Sequence, residues 1–125
     1  MNAEQSARYP RIYDLVAEFD EPNAVFALAE AIHLIERAWA EKEEHFVRFA
    51  LVEVIIALVH RQQFPDVAQA LVSQMLTLGP DRTSLKVAAR VAEWRGDRVL
   101  AAKLNAEAIS APDLLPIDKQ RKPSP

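Results

Sequence analysis

The chain has 125 residues, a net charge of −3 and a pI near 5.6. Half of its residues are apolar and 26% are charged, which fits one globular domain of ordinary size. The acidic balance disfavours a non-specific nucleic-acid binder, and the absence of cysteine excludes disulfides, thiol nucleophiles and cysteine-ligated zinc.

Only two glycines are present, which argues against a sheet-rich fold with many tight turns. The N-terminus is polar, with no apolar leader segment, so a soluble cytoplasmic protein is expected.

Residues 1–8 are polar and are expected to be a flexible N-terminus. Pro10 suits the first position of a helix, where its missing N–H costs nothing. Ile12, Leu15, Val16 and Phe19 then fall on one stripe. Asp20-Glu21-Pro22 is a second start signal. Val25, Leu28, Ala29, Ile32, Ile35, Ala38 and Trp39 follow at helical spacing, and a break is expected near residues 41–44.

Phe46 to Val59 is the most apolar run, with only Arg48 and Glu53 polar. A helix apolar nearly all round must be covered on several sides. At this length, with two charges, it does not span a bilayer, which needs about 20 apolar residues. Phe64-Pro65-Asp66 opens the next helix, and Gly79-Pro80 closes it. Asp81 caps a helix over 82–95. Gly96 ends that helix, and Asp97 caps one over 98–110. Pro112 stops the pattern. Residues 113–125, rich in proline and basic at Lys119, Arg121 and Lys122, are expected to be a flexible tail. The single domain thus spans residues 9–112.

Sliding the chain over itself by 32 residues aligns Ala57, Val59, Val67, Ala70, Pro80 and Asp81 with Ala89, Val91, Val99, Ala102, Pro112 and Asp113. Helix-pair periods of this size mark stacked arrays. The second unit resembles a tetratricopeptide repeat (TPR). Gly96 lies at the turn, Ala89, Ala101 and Ala108 are small where helices approach, and Pro112 ends the unit. The family's large anchors are missing: Leu85, Ala92 and Asn105 stand where tryptophan, tyrosine and phenylalanine are usual, and the spacing is 32 rather than about 34.

The resemblance implies an all-α fold of about six helices, with antiparallel helix hairpins stacked as a short TPR-like right-handed solenoid. It also implies a non-enzymatic protein-interaction module, an adaptor or chaperone without cofactor. Its groove would suit a client helix or peptide, such as an amphipathic helix with acidic flanks. Groove positions carried across are Thr83, Lys86, Arg90 and Glu93 in the second unit, and Leu51, Val54, Leu58 and Arg61 in the first; Trp94 follows the groove helix. Lys86 and Arg90, four apart, share a helix face in any case. The ordinary alternative makes Val54 and Leu58 core, and Lys86 and Arg90 a solvated face.

Two rivals remain on sequence grounds. The apolar face of the central helix could instead be buried in a homodimer. Glu30 and His33 have the carboxylate–histidine spacing of metal-dependent helical bundles, but such sites need a second pair and further glutamates. His33, His45 and His60 are scattered, and no nucleophile, phosphate loop or assembled metal site accompanies them.

Overall fold

A computed structural model describes residues 2–20 and 22–114. Among them are six α-helices and one 3-10 turn, with no strand. The helices are α1 (Ala3–Ala17), α2 (Ala24–Ala40), α3 (Glu44–Arg61), α4 (Pro65–Leu76), α5 (Arg82–Trp94) and α6 (Arg98–Ser110); the turn is Glu18–Asp20. The expected all-α chain of about six helices is what forms. None of the described helices is long and apolar enough to cross a membrane.

The N-terminus departs from expectation. Residues 3–8 form the opening turns of α1 rather than a loose lead-in, and Pro10 lies inside the helix rather than at its start. A reciprocal cap sets the earlier start: Asn2 Oδ1 accepts from the Gln5 N–H at 2.8 Å, and Gln5 Oε1 accepts from the Asn2 N–H at 3.0 Å. Arg8, only 5% exposed, then grips Glu41 with both terminal nitrogens, at 2.8 and 3.1 Å. Arg37 at the end of α2 reaches back to Glu4 at 2.8 Å. This network fastens the first turns of α1 to the far end of α2. The described segment 113–114 has no helical structure, and the rest of the expected tail, 115–125, lies outside the described residues.

The break expected near 41–44 falls at 41–43. Lys42 takes a left-handed conformation (φ 60°), which interrupts the helical run without glycine. Gln62 and Phe64 do the same between α3 and α4, and glycines make the last two turns: Gly79 and Gly96 have φ of 89° and 87°. At the start of α5, Asp81 Oδ1 accepts from the Ser84 N–H at 2.8 Å, and Ser84 Oγ accepts from the Asp81 N–H at 2.8 Å. Asp97 caps α6 by accepting from the Leu100 N–H at 3.0 Å.

α3 is the hub. It packs against α1, α2, α4 and α5, so its near-continuous apolar circumference is covered. Phe46, Phe49, Leu51, Ile55 and Leu58 are all at most 2% exposed, and each such side chain contributes about 1.5–3 kcal/mol on burial. Against α1, Phe46 and Phe49 meet Tyr9 with ring centroids 5.1 and 5.0 Å apart; Tyr13 stands 5.4 Å from Phe49. Burial, with Glu43 nearby, raises the pKa of the Tyr9 phenol. α5 packs on α3, α4 and α6, and α1 on α2.

Candidate interaction cleft

α3 and α5 end side by side, and each is followed by a three-residue turn. Between their C-terminal ends lies an open cleft of about 580 Å³, lined by Val59, His60, Gln62, Arg90, Glu93 and Trp94. A second hollow of about 510 Å³ runs from Glu93 onto α6, along Arg98, Ala101, Ala102 and Asn105. Glu93 belongs to both, so the two form neighbouring parts of one surface.

Local chemistry explains the shape. Gln62 adopts a left-handed conformation (φ 53°) that turns the chain out of α3, and Gly96 does the same after α5. Ala101 and Ala102 keep the α6 side low. The lining mixes one indole, two guanidinium groups, a carboxylate, an imidazole and amides, a set suited to a peptide bearing both apolar and charged groups.

The expected site residues divide into three sets. Arg90, Glu93 and Trp94 come together in the cleft, with Trp94 half-buried and the other two exposed. Lys86 is exposed one turn before Arg90, outside the cleft lining. Thr83 is half-buried at the other end of α5. Neither Lys86 nor Arg90 makes an ion pair within the described residues. Arg61 is held elsewhere: its Nε donates to Asp20 at 2.6 Å.

Leu51, Val54 and Leu58 are each 0% exposed and belong to the core. This corrects the expected apolar groove floor. α1, α2, α4 and α5 pack around α3 from within the chain. These three side chains therefore present no exposed apolar face for a client or a second copy.

Val59, His60 and Gln62 were not anticipated as lining, nor were Arg98, Ala101, Ala102 and Asn105. For all but Asn105 the signal was positional: they lie within about one turn of a helix end flanking one of the two sharp turns, while Asn105 sits a turn further along α6.

The Glu30–His33 pair does not assemble a metal site. Arg11 donates to both oxygens of Glu30, from Nε at 2.8 Å and Nη2 at 2.9 Å. That contact holds the Glu30 carboxyl below its usual pKa. Among the described residues no group of three or more potential metal ligands occurs. No family model, curated protein or solved structure matches the chain.

Proposed function

We propose that the protein is a non-enzymatic interaction module, a short TPR-like helical array that holds a client peptide or helix in the cleft between the ends of α3 and α5. The observation that carries this reading is the meeting of Arg90, Glu93 and Trp94 with Val59, His60 and Gln62 around one open hollow. Lys86 and Arg90 extend a basic strip along α5 beside it, which favours acidic groups flanking the apolar residues of the client.

The order of contacts supports a stack of three hairpins, α1–α2, α3–α4 and α5–α6. First helices touch first helices (α1 with α3, α3 with α5), and each second helix touches the next first helix (α2 with α3, α4 with α5). The register is 33 residues rather than 32. α3 and α5 end at Arg61 and Trp94, and α4 and α6 begin at Pro65 and Arg98. In that register Val54, Ala68 and Leu71 match Val87, Ala101 and Leu104, all buried. The hollow beside Glu93, Ala101 and Asn105 then corresponds to the place where α5 docks on α3 and α4. There Val72, 5% exposed, is replaced by exposed Asn105, and a polar residue at that position ends the stack at α6.

Affinity capture from the native cell tests the reading. Arg90→Glu and Trp94→Ala should each reduce partner recovery at least tenfold while leaving the helical circular dichroism intact. Undiminished recovery with both folded variants would remove the cleft assignment. Val54→Glu is no probe of the cleft, because it places a charge in the core.

A further inference from the structure

The outer face of α6 carries two of the most exposed large apolar side chains among the described residues. Ala101, Leu104 and Ala108 face inward and are buried. On the opposite side Val99 and Ile109 are 84% and 81% exposed, with exposed Ala102 and Ala106 between them. The hairpin stack does not call for this. Thirty-three residues earlier, α4 carries Asp66, Gln69 and Ser73, all exposed and polar, where α6 has Val99, Ala102 and Ala106.

We infer that this face is the contact surface for a second copy of the chain, with α6 packed antiparallel on α6 about a two-fold axis level with Leu104. Three features select a second copy over other occupants. The stripe reads the same in both directions about position 104: Val99 mirrors Ile109, and Ala102 mirrors Ala106. An isologous contact requires that self-complementarity, and a foreign helix does not.

The large residues lie at the ends and the alanines in the middle. Two helices can therefore approach closely at the centre, while each Val99 packs on Ile109 of the other copy. The charges also agree. Lys103 and Glu107 lie on one flank of the stripe, four residues apart, and neither has an ion-pair partner among the described residues. Across the two-fold axis that flank meets itself reversed. Lys103 then stands within about two residues' rise, roughly 3 Å along the axis, of Glu107 from the second copy; this pairing occurs twice and outnumbers the single approach of the two Lys103 side chains at the same spacing.

The contact is confined to one face of a 13-residue helix, so it falls below the standard interface size of about 1,600 Å² and gives a weak dimer that responds to concentration. Ala102 lines both the stripe and the second hollow, so pairing would close one edge of that hollow. The inference stands apart from the client-cleft reading and does not depend on it.

Sedimentation equilibrium of the full chain from low micromolar to about 1 mM tests it. The expected result is a monomer–dimer equilibrium whose dissociation constant rises at least tenfold in Val99→Asp and in Ile109→Asp. Both positions are solvent-exposed, so circular dichroism should stay unchanged. Lys103→Glu should weaken the dimer, and adding Glu107→Lys should restore it. The native chain has no cysteine, which allows a geometric check: mixing Ala102→Cys with Ala106→Cys under mild oxidant should give mixed disulfide in excess over either homodisulfide. A monomer at every concentration overturns the inference, whatever then covers the stripe. So does a dimer indifferent to Val99→Asp and Ile109→Asp, or disulfides with no preference for the mixed pair.

Discussion

Arg48 Nη1 donates to the carbonyl oxygen of Gly79 at 2.8 Å, from a side chain that is only 2% exposed. Its Nη2 donates to the Leu78 carbonyl, and Glu44 stands 3.7 Å away. One cation from the hub helix thus satisfies the carbonyls that α4 leaves behind as the chain turns toward α5. Arg48→Met would keep most of the packing volume and strand both carbonyls. It should lower unfolding free energy by about 2–3 kcal/mol, the scale of charge-assisted hydrogen bonds, read from the urea midpoint.

Asp81 is 0% exposed and does two jobs. Oδ1 caps α5, while Oδ2 accepts from the Leu114 N–H at 3.2 Å; the Arg82 N–H donates to the Pro112 carbonyl at 2.7 Å. The strand of chain after α6 is thereby tied to the start of α5. Asp81→Ala should cost about 1–2 kcal/mol as a lost cap. Amide exchange at both Ser84 and Leu114 should speed up; acceleration at Ser84 alone would refute the tie.

Acid should loosen the α1–α2 fastening. Hydrogen bonds and charge from Arg8 lower the pKa of Glu41 in the folded chain. A carboxyl depressed by folding stabilises the native state above its unfolded value, and that contribution is lost as pH falls through the folded value. The group is partly open to solvent, so the effect is modest. Between neutral pH and pH about 3, below the ordinary carboxyl range, the melting temperature of Arg8→Met should fall less than that of the parent. Parallel curves would contradict this.

Backbone conformation predicts opposite signs at two turns. Gly96 has φ 87° with open space around the missing Cβ, so Gly96→Ala is opposed by strain alone and should cost about 1 kcal/mol or more. Lys42 already bears a side chain at φ 60° and is exposed. Lys42→Gly should relieve part of the left-handed penalty and stabilise by up to about 1 kcal/mol. Thermal melts of the two variants should move in opposite directions.

The correction at α3 has its own signature. Leu58→Ala should lose about 2–5 kcal/mol, as a cavity in a closed core does, whereas Arg90→Ala should stay within about 0.5 kcal/mol. If Leu58 lined an open groove, its truncation would resemble that of Arg90.

What the sequence made legible was local punctuation. Gly79-Pro80-Asp81 and Gly96-Asp97 fix where α4, α5 and α6 stop and start, because left-handed glycine and carboxylate caps act over three or four residues. The start of α1 is set locally by the Asn2–Gln5 cap, but what fastens it is legible only in the fold, where Arg8 meets Glu41, 33 positions further on. The groove floor was misassigned because the apolar pattern of Leu51, Val54 and Leu58 says that something must cover them, not which chain supplies it. The 32-residue register followed the repeated Pro-Asp pairs, but these are not equivalent. Asp81 caps α5, whereas Asp113 precedes no helix in the described chain. Arg90 and Glu93 came from the groove positions of the tetratricopeptide resemblance and Trp94 from its place after them, and α5 sets all three at one end of the helix.

Site-specific photo-crosslinking measures the central claim most directly. A photoreactive residue at position 93, where the two hollows join, should yield an adduct with the client in the native cell, and one at the exposed position 74 on α4 should not. Equal adducts at both positions, or an adduct at 74 alone, would contradict the cleft as the client site.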